Sequence, residues 1–409
     1  MANEELIPHL FRTEYRKIVS VLCRRFGFDH IETAEDIASD TFLTAAQTWG
    51  YQGVPDNPTA WLYTVAKNKA KNLLQRDSFF KNSIVPEIQK YSVGFQEIDI
   101  DLSPHNINDS QLQMMFALSH PSLSPEAQIG LSLRLLCGFG IEEIADAFLT
   151  NKETINKRLA RAKEKLREEK IAIELPALSK IDERLESVLK TIYLLFSEGY
   201  YSTSQNTTLR KDLCFEAMRL CTMLVENKQT DTPQANALLS LMCFHASRFD
   251  ARIDRNGEIV LYQDQDTNLW NAELIGRGGY FLHRASTGKS LSKYHLEAAI
   301  AYQSTQPHDT AEKWETVLQL YNQLLQLEYS PIAALNRTFA FSKVHGKEKA
   351  IDEAEKLKLT ENHFYYTLLG ELYKKIDDKK ALNYFTTARS LAKTENDWKT
   401  IQRKIDALT

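Results

Sequence analysis

The apolar residues of this chain recur mainly at helical spacing. Within residues 5–50, Phe11, Tyr15, Ile18 and Leu22 follow one another at steps of four, three and four. That spacing puts them on one face of a helix and predicts an amphipathic helix with a buried stripe. Further apolar positions at the same spacing predict a second helix within the same segment.

Breaks in this pattern mark the ends of the predicted elements. The stretch GYQGVPDNP interrupts the stripe, and Pro58 then begins a predicted helix that runs to about Asp77, since proline is tolerated in a first helical turn. Residues 78–108 carry several turn formers and no periodic stripe, which predicts an irregular linker. Helical spacing returns afterwards, and Ser124 followed by Pro-Glu is a typical helix start.

Residues 141–167 predict a helix-turn-helix. The stretch IEEIADAF, the short turn LTN and the basic stretch KETINKRLARAKEKLREEK follow in order, as two helices joined by a tight turn. The apolar stripe predicted for the second helix consists of Ile155, Leu159, Ala162 and Leu166.

The remainder of the chain is also predicted to be helical, with loose internal repetition. Asn336 and Gly370 lie in similar contexts, and Ala350 and Ala381 begin similar stretches. Both separations are close to the length of a tetratricopeptide (TPR) helix pair, which is roughly 34 residues. The exception to helix is the Asn256-Gly257 pair, which predicts a small hairpin.

Composition agrees with an all-α protein and narrows its class. The 409 residues include only 15 glycines and 11 prolines. No apolar run approaches the roughly 18 to 20 residues of a membrane span, and the first residues lack a signal-peptide pattern. We therefore expect a cytoplasmic protein without a membrane partner. The five cysteines are dispersed, which favours reduced core thiols over disulfides or a zinc site.

Charge is distributed unevenly although the net charge is only −4. Residues 61–77 hold four basic side chains and one acidic one, for a net +3, and residues 151–170 hold eight and four, for a net +4. Residues 91–110 hold four acidic side chains and no Lys or Arg. Two basic helices on either side of an acidic connector indicate two nucleic-acid-binding modules. A solvated basic helix and a solvated linker are the alternative interpretations.

No catalytic or cofactor chemistry is predicted. Gly288-Lys289-Ser290 resembles the end of a phosphate-binding loop, but His283 stands where its first glycine is needed. Asp264 and Asp266 lack the glycine and glutamate of a calcium loop. We expect neither enzyme activity, nor a metal site, nor a cofactor.

Longer stretches of the sequence resemble a known family. AEDIASDTFLTAAQTW with NPTAWLYTVAKNKAKNLLQR resembles region 2 of extracytoplasmic-function (ECF) RNA polymerase sigma factors, and the stretch from Ser110 to Glu168 resembles region 4. IYLLFSEGY and QDQDTNLW resemble stretches of a subgroup that carries a TPR-like C-terminal extension. The resemblance implies region 2 at 1–77, an acidic linker at 78–108, region 4 at 109–172 and a TPR-like regulatory domain at 173–409.

The resemblance also implies partners and site residues. Region 2 would bind core RNA polymerase and the −10 promoter element, and region 4 would bind the −35 element. The C-terminal domain would bind a protein or dock intramolecularly, either inhibiting the sigma regions or presenting a required surface. Asn72 departs from the acidic residue that the group often has there. The implied polymerase contacts are Asp36, Asp40 and Phe42; the implied DNA contacts are Trp61, Asn68, Lys69, Asn72 and Arg76 in region 2 and Lys152, Asn156, Lys157, Arg158 and Arg161 in region 4.

Two other functions remain open from the residues alone. A helix-turn-helix regulator that binds an operator by itself would explain 141–167 and the C-terminal repeats. A protein-interaction scaffold would need only the repeats and would predict no dependence on DNA.

Overall fold

The fold is all-α throughout the part of the chain that the structure covers, as the sequence predicts. The computed structural model describes residues 3–76, 100–148, 150–201, 210–252, 260, 262–288, 290–306, 308–392 and 394–408. Within those ranges it contains α-helices and short 3-10 helices and no strand. The chain divides into two compact units, Met1–Thr191 and Ile192–Thr409.

Unit 1 contains the segments predicted to bind DNA. A short 3-10 helix, Phe28–His30, joins its first two helices. Its helices are α1 (Asn3–Phe26), α2 (Ile31–Gln52), α3 (Pro58–Arg76), α4 (Pro104–Leu118), α5 (Pro125–Leu135), α6 (Ile141–Ala147), α7 (Lys152–Glu168) and the first part of α8 (Leu178–Tyr201).

Unit 2 begins within α8 and continues to the C-terminus. Two 3-10 helices, Tyr262–Asp264 and Thr267–Leu269, lie between the α-helices Pro233–Ala246 and Ala272–Ala285. Its further helices are α9 (Lys211–Glu226), α10 (Pro233–Ala246), α11 (Ala272–Ala285), α12 (Lys293–Gln303), α13 (Ala311–Leu327), α14 (Pro331–His345), α15 (Lys347–Leu357), α16 (His363–Tyr373), α17 (Asp378–Ser390) and α18 (Glu395–Asp406).

Several helices begin at a hydroxyl residue followed by proline. The predicted start at Ser124 is confirmed: its side chain accepts a hydrogen bond from the backbone N–H of Ala127, and Pro125 occupies the first turn. Proline has no N–H to leave unsatisfied there, and its fixed φ suits the helix. The same arrangement begins α4, α10 and α14, at Ser103, Thr232 and Ser330.

Helix α1 is the centre of unit 1. Tyr15, Ile18 and Leu22, from the predicted stripe, are fully buried, and α1 packs against α2, α3, α4 and α5. Gly27 ends α1 with a φ of 78°, and its N–H donates to the Cys23 carbonyl at 2.8 Å. A side chain would strain that left-handed backbone. The sharp turn allows α2 to pack back onto α1.

Unit 2 is a series of packed helix pairs. Nearly every residue of α10 is buried, as expected of a helix that is apolar all round. The pairs α13–α14 and α16–α17 each pack closely across a short connection. The last pair approaches most closely where Gly370 lies against the ring of Phe385, so glycine at this repeat position has a packing reason.

Two predicted boundaries differ from the structure. Helix α4 begins at Pro104, inside the predicted linker 78–108, because Ser103 caps it and Asp101 in turn accepts the Ser103 N–H at 2.8 Å. Unit 1 extends past the predicted boundary at 172 because α8 bonds back to it. Arg184 donates to the Phe116 carbonyl and Thr191 to the Gln128 side chain.

Two of the predicted segments fall partly or wholly outside the described residues. Residues 78–99 of the predicted linker lie outside the described residues, and so does the predicted Asn256-Gly257 turn. On either side of that turn, the Val260 N–H donates to the Arg252 carbonyl at 2.8 Å. Of the helices within the described ranges, none is both long enough and apolar enough to cross a bilayer.

Candidate nucleic-acid interface

The segment predicted to be a helix-turn-helix consists of α6 and α7. All four residues of the predicted apolar stripe on α7 are buried, so the opposite side of the helix faces outward. Asn151 caps α7: its side-chain oxygen accepts the Thr154 N–H at 2.8 Å. The cap orders the start of α7, which corresponds to the part of a recognition helix that meets base edges in helix-turn-helix proteins.

The outward side of α7 presents most of the predicted contacts. Asn156 and Arg161 are exposed, and Arg161 forms no ion pair within the described part of the chain. Lys152 pairs with Glu142, and Lys157 pairs with Glu153 at 2.6 Å. Both pairs are largely exposed, so each contributes little to stability. DNA phosphates can therefore replace these carboxylates at low cost.

Arg158 is placed differently from the prediction. Its guanidinium lies over the Phe148 ring, 5.2 Å from the centroid, in a cation–π geometry. The Nη1 atom is buried and has no hydrogen-bond partner among the described residues. In this structure Arg158 joins α7 to α6 and does not extend toward a phosphate.

Helix α3 presents the second predicted surface. Asn68 and Asn72 are exposed one turn apart, and Trp61 lies two turns before Asn68 on the same side. Trp61 is half-buried against Trp49, with ring centroids 5.3 Å apart at 63°. One part of the indole is therefore packed while another remains accessible. Arg76 is the last residue of α3, and its side chain lies outside the described residues.

Helix α2 carries the predicted polymerase contacts, and only two of the three are accessible. Asp36 and Asp40 are exposed on one side. Phe42 is only 4% exposed and packs edge-on against Phe11, with centroids 5.0 Å apart. Its position gives it a role in the core of unit 1, because α2 turns that side toward α1.

Leu43 was missed by the sequence analysis. It is 55% exposed and lies on the same side of α2 as Asp36 and Asp40, at steps of seven and three. The sequence contains one signal for Leu43: it is an apolar residue that lies outside the buried stripe of an amphipathic helix. The three residues form an exposed surface with an apolar centre and acidic neighbours.

A charged cluster joins α2 to α5 and α7, and the sequence did not indicate it. The Glu35 carboxylate accepts from Arg134 Nε at 2.9 Å and pairs with Lys163. The side chains of Glu35 and Lys163 are only 11% and 12% exposed. Helices α2, α5 and α7 are therefore packed together within unit 1.

Tyrosines and polar residues of the C-terminal helix pairs are candidates for contact with a partner, and most of them are engaged within the chain. Tyr365 is buried in the core of α16 and its neighbours. Arg337 donates to the Asn322 side chain and pairs with Glu353, both at 2.9 Å. Asn336 is exposed and Tyr366 is half-buried. The Asn336 side chain is also hydrogen-bonded to Tyr321.

The described residues include neither a metal-binding cluster nor a reactive thiol. No group of three or more His, Cys, Asp or Glu side chains could hold a metal ion there. All five cysteines are buried and unpaired by disulfides. Burial raises the pKa of the Cys214 and Cys243 thiols to about 12, which keeps them protonated and unreactive at neutral pH.

Two protein families match parts of the chain. Sigma-70 region 2 matches residues 10–79, which span α1 to α3. A family of unknown function, DUF6596, matches residues 184–286, in the part of the chain expected to be TPR-like. The part of unit 1 that carries Trp61, Asn68 and the α2 surface thus matches sigma-70 region 2.

Individual relatives extend this similarity. Protein R00370 of Rhizobium meliloti is 31% identical over 389 residues, covering 93% of this chain and 91% of the relative. RNA polymerase sigma factor YlaC of Bacillus subtilis is 28% identical over 167 residues, 41% of this chain and 93% of the relative. The ECF RNA polymerase sigma-E factor of Haemophilus influenzae is 29% identical over 152 residues, 36% and 78%. No solved structure matches the chain.

Proposed function

The chain belongs to one family with the rhizobial protein R00370, and we propose that it is a sigma factor of the ECF type. In this role it binds core RNA polymerase and directs it to promoters. The observation that carries the proposal is the sigma-70 region 2 match at residues 10–79 in the same unit as an exposed basic helix-turn-helix.

In this proposal, the exposed residues of each helix determine which partner that helix binds. The α2 surface of Asp36, Asp40 and Leu43 binds the polymerase. The Trp61, Asn68 and Asn72 side of α3 binds the −10 element, where an aromatic ring and amides suit unpaired bases. Lys69 and Arg76 add charge near the phosphates.

The start of α7 binds the −35 element in this proposal. Asn156 is suited to base edges in the major groove, since an amide can both donate and accept. Lys152, Lys157 and Arg161 are suited to phosphates, which fix the register of the helix on DNA. Arg158 contributes by holding α7 on Phe148.

Run-off transcription with purified core polymerase tests this function. We expect transcripts from genomic promoter fragments only when the chain and core enzyme are both present. The double variant Asn156→Ala/Arg161→Ala should lose them. Lys180→Ala, which removes an exposed charge on α8, should transcribe normally. A chain that binds promoter DNA tightly by itself and gives no transcript would instead be an autonomous regulator.

The second part of the proposal is that unit 2 regulates unit 1. Its helix pairs are similar to TPR units, whose stacked pairs offer extended surfaces to peptides or helices. The supporting observations are the repeated contexts near Asn336 and Gly370 and the close packing of α16 on α17. Inhibition by docking is the version we favour over a required positive contact.

Truncation tests the regulatory part, and the structure sets where to cut. A chain ending at Thr191 keeps the bonds from Arg184 to Phe116 and from Thr191 to Gln128. Ending at Leu175 would remove both and leave buried groups unpaired. If unit 2 inhibits, the chain ending at Thr191 gains transcription while its helical content per residue is retained. Unchanged activity and unchanged regulation would rule out this role.

A further inference from the structure

Two cations of unit 2 are buried, and neither pairs with a carboxylate in the described part of the chain. Arg248 lies two residues beyond α10 and is 8% exposed, and Lys313 in the first turn of α13 is 7% exposed. Moving a charge out of water is strongly unfavourable unless a counter-charge accompanies it. The two side chains therefore mark a place where a negative charge is needed.

Both cations lie around one aromatic ring, that of Tyr262. The guanidinium carbon of Arg248 and the Nζ atom of Lys313 are each 5.4 Å from its centroid. Lys313 also donates to the Tyr262 hydroxyl at 3.0 Å and to the Gln306 carbonyl at 2.9 Å. The end of α10, the 3-10 helix Tyr262–Asp264 and the start of α13 thus bring two positive charges to one place in unit 2.

Two N–H groups around the same ring have no acceptor. The Nε atom of Arg248 and the indole Nε1 atom of Trp270 are buried and lack a hydrogen-bond partner among the described residues. The Trp270 ring stacks on Tyr262, with centroids 6.3 Å apart at 26°. Buried donors without an acceptor are uncommon in native proteins. Two of them beside two cations form the complement of an oxyanion, which accepts hydrogen bonds and carries negative charge.

Contacts within the chain compensate these charges only in part. One tyrosine ring gives modest cation–π stabilisation, and here two cations share it. Arg248 follows the C-terminus of α10 and Lys313 reaches a carbonyl just after α12, but a helix C-terminus carries only about half a negative charge. Burial, and then the positive charges of Arg248 and Arg252, lower the pKa of His245 well below its usual value. The local potential is therefore positive.

A second cation–ring contact in unit 2 shows what the Tyr262 site lacks. Lys343 lies 5.3 Å from the ring centroid of Trp314, and its ammonium group is 3.4 Å from the Asp309 carboxylate. Lys313 has two neutral oxygens in place of such a carboxylate. The Tyr262 side chain is 37% exposed, so a ligand from solvent has access to the edge of the site.

We propose that Arg248, Lys313 and the indole N–H of Trp270 form a binding site for a small oxyanion, a molecule whose phosphate or carboxylate group lies beside Tyr262. A guanidinium group donates to an oxyanion in a fixed fork, and an ammonium group adds a point charge. The inference goes beyond the proposed function and does not depend on it, because every residue of the site belongs to unit 2. A ligand that binds only the folded state stabilises it, so the site makes the stability of unit 2 respond to that ligand.

Calorimetric titration of the full chain tests the site. The probes are inorganic phosphate and succinate, each added at an ionic strength held constant with chloride. We expect saturable binding of one probe or both, and the comparison distinguishes a phosphate site from a carboxylate site. Arg248→Met and Lys313→Met should each weaken this binding about ten- to hundredfold, the effect of losing one charged hydrogen bond.

Matched variants separate the site from general charge effects. Arg219→Gln and Lys343→Gln remove cations of unit 2 that already pair with carboxylates, Glu216 at 2.8 Å and Asp309 at 3.4 Å. Both should bind the probes as the wild type does. Arg248→Lys keeps the charge but not the fork, and it should bind more weakly than the wild type. This variant keeps the test decisive if the methionine variant does not fold.

Melting temperatures provide a second readout. Without a probe, Arg248→Met should melt at the wild-type temperature or above it, because the change removes a poorly compensated buried charge. The probe that binds should raise the melting temperature of the wild type and leave that of this variant unchanged. An arginine with a purely structural role would give the reverse: a lower melting temperature in the variant and no response of the wild type to either probe.

Three results would overturn the proposal. The first is an absence of saturable binding of either probe by the wild type. The second is equal binding by the wild type, Arg248→Met and Lys313→Met. The third is binding by Asp254→Asn/Glu258→Gln but not by the wild type, because the chain's own carboxylates would then supply the negative charge.

Discussion

The carboxylate of Asp40 on α2 lies 3.9 Å from the ammonium group of Lys69 on α3. The candidate polymerase contact and a candidate −10 contact are thus electrostatic neighbours. Their side chains are 65% and 32% exposed, so the pair stabilises the fold by less than about 1 kcal/mol. A partner that engages Asp40 would release Lys69 for DNA.

Reversing the charge at Asp40 should affect binding more than folding. We expect Asp40→Lys to weaken association with core polymerase in a pull-down, because an acidic contact becomes repulsive. The circular dichroism spectrum should remain that of the wild type. Asp182→Lys, an equal charge change at an exposed position of α8, is the control. Wild-type affinity of Asp40→Lys would remove Asp40 from the polymerase surface.

Arg161 and Arg158 should respond differently to substitution although both are basic residues of α7. Arg161→Ala should weaken binding of holoenzyme to all promoters similarly and reduce the slope of log K against log salt by about 1. Arg158→Ala should instead lower the melting temperature, since its guanidinium packs on Phe148. A change in the preferred −35 sequence with Arg161→Ala would mean that Arg161 contacts bases.

Glu297 should make the stability of unit 2 depend on pH. Burial, opposed by Lys293 and by the hydrogen bond from Tyr193, raises its pKa to about 7 from 4.5. The folded state therefore holds a proton that the unfolded chain releases. Its contribution is complete below about pH 4.5 and is lost as pH rises through about 7, a change of at most about 3 kcal/mol.

Urea unfolding of Glu297→Gln between pH 5 and 8 measures this contribution. The variant should lose less free energy of unfolding than the wild type over that range, because its amide does not titrate. Glu315→Gln, at an exposed position of α13, serves as control and should follow the wild type. Parallel pH profiles for all three proteins would contradict the assignment.

A side chain at position 370 should lower the stability of the fold. A Cβ there would lie 2.6 Å from the ring of Phe385, which is fully buried. Gly370→Ala should lower the free energy of unfolding by about 1–3 kcal/mol, the usual effect of overpacking. Gly276→Ala is the matched control, because a Cβ at that helical glycine meets nothing within 4 Å. It should stabilise α11 by about 0.5–1 kcal/mol.

The elements of the fold could be predicted because their causes are local. Helical spacing marked the α7 stripe, and proline after serine marked the start of α5 at Ser124. Repetition at the period of a TPR helix pair marked helix pairing near Gly370. Each of these signals depends on residues within one or two helical turns of one another, or on the repetition of such a group along the chain. The side of α7 that carries Asn156 followed from the same periodicity.

Tertiary packing decided which of the candidate residues are available. Phe42, Arg158 and Tyr365 carry suitable chemistry, but periodicity indicates the side of a helix and does not say which neighbour covers it. Long side chains make exposure still harder to predict from the sequence, because they can fold back onto a neighbour. The guanidinium of Arg158 does so onto Phe148. The pairing of Glu35 with Lys163 joins residues 128 positions apart. Such a contact depends on how α2 and α7 pack, and one sequence contains no local pattern that specifies it.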